Sequence, residues 1–235
     1  MKIFNILILI SIIPLVGVML LILIPGRYNS YCFNAALFIS SLTFILSLIM
    51  WLIFDSGHNS FQFLCTIDWL PAFNFYYTVG VDGISLFFLI LTTFLIMVCV
   101  LISWGSINYR LKEYLINFLL LEFLLIQVFS VLDLLLFYVF FESILMPMFL
   151  IIGIWGSRER KIRAAYQFFL YTLVGSVLML LGILIIYSHG GTTDLQMLWN
   201  LEFSEKQQIF LWVSFFLSFA VQIPRIPFHI WLHEA

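Results

Sequence analysis

Uninterrupted apolar runs of about 20 residues recur along the whole chain, and they limit its possible folds more than any other feature. A hydrocarbon core about 30 Å thick is spanned by roughly 20 helical residues. Seven such runs are present: Ile3 to Ile24, Cys32 to Phe54, Gly83 to Trp104, Tyr114 to Leu132, Leu134 to Trp155, Ala164 to Tyr187, and Ile209 to Leu232. They are continuous rather than alternating, which excludes the strands of a porin-like barrel. The sequence therefore predicts an all-α fold, a polytopic bundle of about seven transmembrane helices whose last helix is broken by prolines.

The composition supports the same conclusion, because it leaves too few polar residues for a water-facing surface. Of 235 residues, 64% are apolar and 9% are charged, against roughly 25% charged in soluble domains. Without an evident linker or internal repeat, we predict one membrane domain over residues 1–235. The net charge of -2 says nothing about nucleic acid, but the lack of a basic stripe with stacking aromatics outside one loop predicts no nucleic-acid partner. Cys32, Cys65 and Cys99 are too widely spaced to indicate a metal site or a disulfide framework.

The basic residues fall mainly on one side of the membrane when the loops are assigned alternately to two sides. Arg27, Arg110 and Lys112 lie in the first and third loops, and the segment "RERKIR" forms the fifth. By the positive-inside rule these loops face the matrix or cytoplasm, and the N-terminus faces outward. The segment "RERKIR" is interpreted first as a topology signal, with lipid headgroup contact or docking of a neighbouring subunit as alternatives.

Three acidic residues near the middle of the chain are not explained by a lipid environment. Glu122 lies in the fourth run, Asp133 at a short turn and Glu142 in the fifth run. A carboxylate at the bilayer centre costs on the order of 2.5 to 3.5 kcal/mol on insertion scales. Glu142 follows Asp133 by nine residues, which corresponds to about 13 Å of helix and puts it near mid-membrane. A buried glutamate whose positive partner can move binds a proton reversibly, so Glu142 is predicted to do so; a structural, hydrogen-bonded acid is the alternative.

The neighbours of Glu142 in sequence suggest how its helix begins and where it is weakened. Asp133 is predicted to cap the helix N-terminus. Pro147 deprives the carbonyl of Ser143 of its usual donor and is predicted to loosen the helix beside Glu142. For Glu122 the structural and the proton-handling interpretations both stay open.

The last apolar run, "FAVQIPRIPFHIWLHEA", contains a glutamine, an arginine and two prolines. Pro224 and Pro227 leave the carbonyls of Ala220 and Ile223 without helical partners. A broken helix at membrane depth is tolerated only inside protein or beside a wet cavity, and many transporters build ion sites from such helices. His229, one turn beyond the break, either relays protons or is a satisfied core residue.

The chain resembles the subunit 4 family of mitochondrial respiratory complex I, one of its antiporter-like, proton-pumping subunits. The matching segments are "VGVDGISLFFLILTTFLI", "LDLLLFYVFFESILMPMFLIIGIWGSRERKIRAAYQFFLYTLVGS", "GTTDLQMLWNLEFSEKQQIFLW" and "FAVQIPRIPFHIWL". The resemblance implies a multi-pass subunit of the mitochondrial inner membrane that moves protons, driven by redox energy released elsewhere. It implies no cofactor on this chain: no nicotinamide, flavin, iron-sulfur cluster or quinone. The implied partners are the other membrane-arm subunits of complex I and membrane lipids.

The resemblance also assigns the proton pathway, and this sequence departs from it at one position. In the family the glutamate of "FFES", here Glu142, pairs with a lysine of the broken seventh helix, but Gln222 stands at that position. Arg225 is expected to supply the missing positive charge electrostatically, since arginine does not deprotonate; snorkelling is the alternative. The predicted pathway therefore comprises Glu142, Glu122, Gln222, Arg225 and His229.

Members of this family are about twice as long as the present chain. We expect a separate polypeptide carrying the C-terminal half of subunit 4 to complete the channel. Two alternatives remain open: a structural or assembly subunit of the same complex that has lost proton conduction, and a free-standing cation/proton antiporter of related ancestry.

Overall fold

The structure is a computed structural model that describes residues 5–26, 28–58, 60–70, 75–107, 109–156 and 159–223. The elements in chain order are α1 (Ile6–Leu23), α2 (Asn29–Ile53), β1 (Gln62–Leu70), β2 (Phe75–Val81), α3 (Gly83–Ile102), α4 (Leu111–Ser130), α5 (Leu134–Ser143), α6 (Leu145–Trp155), α7 (Lys161–Gly190), α8 (Leu195–Leu198) and α9 (Glu205–Gln222).

Six stretches of the described residues are long and apolar enough to cross a membrane. They are Ile6–Leu23, Asn29–Ile53, Gly83–Ile102, Leu111–Ser130, Leu134–Trp155 and Lys161–Gly190. These stretches match the first six predicted runs and confirm a polytopic helical membrane bundle. The seventh run is described only as far as Ile223. Its helix, α9, starts earlier than predicted, and the polar first turn of α9 keeps it out of the set of candidate spans.

The all-α prediction is wrong in the connection between α2 and α3. There β1 and β2 pair as a two-stranded sheet. Both strands are rich in the aromatic and β-branched residues that favour extended backbone. Both strands are much shorter than a membrane span. A pattern of long apolar runs therefore does not predict them.

The described chain divides into two compact units. The first comprises Met1–Thr66 and Val79–Val131, and the second comprises Ile67–Thr78 and Leu132–Ala235. The four helices α1 to α4 belong to the first unit and the helices α5 to α9 to the second. The interpretation of residues 1–235 as a single membrane domain stays a prediction.

In the first unit the four helices pack around an interior that is only partly apolar. Helix α1 contacts α2 and α4, and α3 also contacts both α2 and α4. Lys112, at the start of α4, donates from Nζ to the carbonyls of Ile22 at 2.9 Å and Ile24 at 2.8 Å. These carbonyls have no intrahelical donor at the end of α1. Lys112, predicted as a topology signal, therefore also caps a helix.

In the second unit α7 is the central helix, and α5, α6 and α9 all contact it. Helices α7 and α9 approach closely at Gly175, where an added Cβ would lie 3.2 Å from Cβ of Val221. Small residues of this kind allow membrane helices to pack closely.

The helix that carries Glu142 is interrupted where the sequence predicted a weakness. Helix α5 ends at Ser143, Ile144 connects the two segments, and α6 begins at Leu145. Pro147 has no N–H to offer the carbonyl of Ser143, so the helical ladder cannot continue normally there. The predicted loosening beside Glu142 is confirmed.

The predicted cap at the start of α5 is also confirmed. Asp133 accepts from the backbone N–H groups of Leu135 and Leu136 at 2.9 and 3.0 Å through Oδ1. Its other oxygen accepts from Thr193 Oγ1 at 2.5 Å. Two backbone hydrogen bonds, Leu134 N–H to the Thr193 carbonyl and Leu195 N–H to the Leu132 carbonyl, join the same segments at 2.9 Å each.

Candidate functional site

Glu142 lies at the end of α5, one residue before the interruption, and its carboxylate is only partly satisfied. Ser176 of α7 hydrogen bonds to the carboxylate and also to the hydroxyl of Tyr138. The second carboxylate oxygen, Oε2, is buried and has no hydrogen-bond partner among the described residues. Buried polar atoms are nearly always paired. We therefore expect Oε2 to accept a hydrogen bond from water or from a group outside the described residues.

Glu142 also lines a groove of about 430 Å³ in the second unit. The walls are mostly apolar: the groove is lined by Tyr138, Val139, Glu142, Ser143, Leu145, Met146, Phe169 and Leu173. Glu142 thus combines an unpaired carboxylate oxygen with a position on an interrupted membrane helix and beside a groove, and its binding of a proton stays a prediction.

Glu122 has a different environment, in the middle of the first unit. It is completely buried in α4, and its Oε1 lies 2.5 Å from Thr43 Oγ1 on α2. Its Oε2 has no partner within the described part of the chain. This contact joins α2 to α4, as the structural interpretation of Glu122 expects. A role for Glu122 in proton handling stays a prediction.

Helices α1 to α4 bring no described cation close to Glu122. Their charged residues besides Glu122 are Lys112 and Glu113. Lys112 precedes Glu122 by ten residues, about 15 Å along a helix. Its ammonium group already caps α1. Glu122 therefore depends on the hydroxyl of Thr43 for its described polar contact.

Replacing Thr43 by valine is expected to destabilise the first unit by about 1 to 3 kcal/mol, because a buried acid loses its donor while the side-chain volume hardly changes. The measurement is the thermal midpoint of the detergent-solubilised, assembled protein. Thr92→Val is the control, since that hydroxyl donates to the carbonyl of Phe88 in its own helix at 2.7 Å. The double variant Thr43→Val, Glu122→Leu should regain most of the loss. Equal midpoints for Thr43→Val and Thr92→Val would contradict the assignment.

The remaining predicted pathway residues lie at or beyond the end of α9. Gln222 is the last residue of α9 and is half-buried. It belongs to the same compact unit as Glu142. Arg225 and His229, and with them Pro224 and Pro227, lie outside the described residues, so the pairing of Glu142 with Arg225 stays a prediction.

The hydroxyl partners of Glu122 and Glu142 were not predicted from the sequence, although the sequence contains a pattern that indicates them. On α2, Ser40, Thr43 and Ser47 recur at helical spacing, and all three are fully buried. On α7, Thr172 and Ser176 are four residues apart and also buried. A stripe of hydroxyls on one face of an apolar helix indicates a buried polar partner, so it could have identified the helix faces that carry these contacts, although not the individual donors.

An acidic residue in the loop after α2 has a purely local environment. Asp55 accepts from the Gly57 backbone N–H at 2.8 Å and contacts His58 Nδ1 at 2.9 Å. The Gly57 N–H, and after it the His58 ring, hold the pKa of Asp55 below its ordinary value. Both side chains of the pair are more than half exposed, so this is a surface turn rather than part of the membrane site.

The comparisons with known proteins agree with this geometry, first at the level of protein class. The family described as "NADH:quinone oxidoreductase/Mrp antiporter, TM" matches residues 131–235, the segment that contains Glu142, Ser176 and Gln222. A chain of the solved structure "Respiratory complex I from Thermus thermophilus with bound NADH" is similar with a TM-score of 0.83 and 29% identity, over 97% of this chain and 46% of that one. The fold and the family match thus define an antiporter-like transmembrane protein.

Two curated relatives narrow this class to one protein family. NADH-ubiquinone oxidoreductase chain 4 of Chondrus crispus is 66% identical over 235 residues, which are 100% of this chain and 48% of the relative. Chain 4 of Arabidopsis thaliana is 57% identical over 222 residues, 94% of this chain and 45% of the relative. The chain is a homologue of NADH-ubiquinone oxidoreductase chain 4, and it spans about half the length of the curated relatives it matches.

Proposed function

We propose that this chain is a membrane-arm subunit of NADH:ubiquinone oxidoreductase and contributes to proton translocation across the mitochondrial inner membrane. The observation that carries the proposal is the environment of Glu142. Its carboxylate lies in a membrane-spanning stretch, beside a helix interruption, with one oxygen bonded to Ser176 and the other open. Homology to chain 4 supports the assignment to this complex.

In this proposal Glu142 binds a proton from one side of the membrane and releases it toward α9. In the proposal, redox energy released elsewhere in the complex drives the change, and no redox group is assigned to this chain. Gln222, Arg225 and His229 continue the path along the broken seventh helix, with Arg225 as the positive charge that favours ionised Glu142 when it is close. Glu122 joins the path in the first unit.

A second candidate function is favoured by Gln222. A neutral amide cannot gain or lose the charge that a lysine would carry at this position. The chain would then be a structural subunit that seals and assembles the membrane arm without conducting protons. The two candidates are distinguished by the number of protons pumped per electron pair when Glu142 is replaced by glutamine in the assembled complex.

The proposed location is the mitochondrial inner membrane, with the N-terminus toward the intermembrane space. The orientation rests on the basic residues of the odd-numbered loops, such as Lys112 and Lys161. Labelling of single cysteines, introduced in the α2–α3 and α6–α7 connections of sealed mitoplasts, tests this orientation. Labelling of the α6–α7 connection from the intermembrane-space side would contradict it.

The proposed partners are the other membrane-arm subunits, membrane lipids and a polypeptide carrying the C-terminal half of chain 4. Purification of the tagged chain under native conditions tests them: NADH:ubiquinone oxidoreductase activity should copurify. Mass spectrometry then shows whether C-terminal-half peptides belong to this chain or to a separate one. Recovery of the tagged chain without the complex would overturn the assignment.

A further inference from the structure

Three helices of the second unit meet at the level of Glu142. The ring of Phe141 on α5 packs edge-on against that of Phe219 on α9, with centroids 5.9 Å apart. Each ring is adjacent in sequence to a polar residue, Glu142 on α5 and Ser218 on α9. Helix α7 contacts both α5 and α9, so Glu142 and Ser218 lie on helices that pack against the same third helix.

Helix α7 contributes a hydroxyl and a close approach at this level. Ser176 is 3% exposed and hydrogen bonds to Glu142. The residue before it, Gly175, faces α9, because an added Cβ there would lie 3.6 Å from the Cα of Ser218. Consecutive residues on α7 therefore face Glu142 on one side and Ser218 on the other.

Ser218 differs from the other buried hydroxyls nearby. It is 3% exposed, and its Oγ has no hydrogen-bond partner among the residues described. Hydroxyls in helices usually donate to a carbonyl of the preceding turn. Ser214 does so on the same helix, to Phe210 at 2.8 Å, and Thr172 does so on α7, to Phe168 at 2.7 Å. The hydroxyl of Ser218 is thus left available for another partner.

The hydroxyl of Ser176 also has a choice of partners. Its single hydrogen can be donated to the carbonyl of Leu173 at 2.9 Å or to the carboxylate of Glu142, and the hydroxyl of Tyr138 is a third hydrogen-bond partner. Rotation about the Cβ–Oγ bond switches it from one acceptor to the other. A hydroxyl that rotates in this way can receive a hydrogen bond on one side and donate on the other.

From Ser218 the connection continues along α9 to its end. Gln222 follows Ser218 by four residues, about 6 Å along the helix and on nearly the same face. Its half-buried amide both donates and accepts hydrogen bonds. Ser218 therefore lies on α9 one turn before Gln222, the last residue of that helix.

We propose that Ser176 and Ser218 form a hydroxyl relay that carries protons between Glu142 and the end of α9, with water bridging the hydroxyls. A proton leaves the Glu142 carboxyl and binds a neighbouring oxygen as that oxygen passes its own hydrogen onward. Each O–H bond broken in the relay is matched by one formed, and the hydroxyls return to their starting state by rotation. This inference rests on the proposed function of Glu142 and adds two proton-relay residues to it.

The test compares Ser176→Ala and Ser218→Ala with Glu142→Gln in the assembled complex. The readout is the number of protons pumped per electron pair in vesicles, with electron transfer and assembly measured in parallel. We expect both serine variants to lose as many pumped protons as Glu142→Gln. Ser218→Thr and Ser176→Thr, which keep the hydroxyl, should restore them. Ser218→Ala removes an oxygen without a described bond, so it should leave assembly unchanged.

Ser214→Ala and Thr172→Ala are the matched controls, because their hydroxyls are satisfied within their own helices. Full pumping by Ser218→Ala in a complex that Glu142→Gln impairs would overturn the relay and leave the proposed function of Glu142 intact. Equal losses in Ser218→Ala and Ser214→Ala would overturn it as well, since general packing would then explain both. Unchanged pumping in Glu142→Gln would overturn the relay together with the proposed function.

Discussion

The assembled complex carrying Glu142→Gln is expected to pump fewer protons per electron pair than the unmodified complex. Glutamine has the shape of glutamate and still accepts from Ser176, so the contacts of α5 with α7 are retained. An amide, however, does not bind and release a proton in the physiological range. The variant therefore removes the exchangeable proton and little else. Proton uptake by sealed vesicles, divided by the NADH oxidised, measures the effect.

Two further substitutions make this result specific to Glu142. Glu113→Gln is the control, because the side chain of Glu113 is about half exposed and pairs with Arg110 at 3.4 Å on the surface; pumping by this variant should be unchanged. Glu142→Asp keeps a titratable group but shortens its reach, so an intermediate yield is expected. If Glu142→Gln pumps as many protons as Glu113→Gln, the chain does not conduct through Glu142 and the structural candidate is favoured.

The membrane-spanning helices, the cap at Asp133 and the interruption near Pro147 could be predicted from the sequence, because each depends on local rules. Helix length against bilayer thickness predicted the six candidate spans. The cap at Asp133 and the interruption near Pro147 follow from hydrogen-bond donors counted along one chain segment. The depth of Glu142 in the membrane was inferred from helical rise alone and stays a prediction.

The hydrogen-bond partners of the buried carboxylates could not be predicted, because these contacts depend on how helices distant in sequence pack together. Thr43 and Glu122 are 79 residues apart, and no local pattern selects Thr43 over Ser40 or Ser47 as the donor. The open hydroxyl of Ser218 is equally hidden, since a serine in an apolar helix is expected to bond to its own backbone. The pairing of β1 with β2 was not predicted, because rules on the length and hydropathy of membrane spans say little about the loops between the spans.

Asp133→Ala is expected to cause the largest loss of stability among single substitutions in the second unit, on the order of 2 to 4 kcal/mol. Asp133 is 2% exposed, and its carboxylate accepts from two backbone N–H groups at the start of α5 and from Thr193. Alanine leaves all three donors without this acceptor in a buried place.

Asp133→Asn keeps one oxygen for the helix N-terminus, so we expect a clearly smaller loss of stability. Thr193→Val should lie between Asp133→Ala and Asp133→Asn, because it removes the third hydrogen bond alone. The measurements are the thermal midpoint of the solubilised complex and the fraction assembled on native gels. A midpoint for Asp133→Ala equal to that of Asp133→Asn would show that the cap contributes little, and that the backbone hydrogen bonds of Leu134 and Leu195 hold these segments together without it.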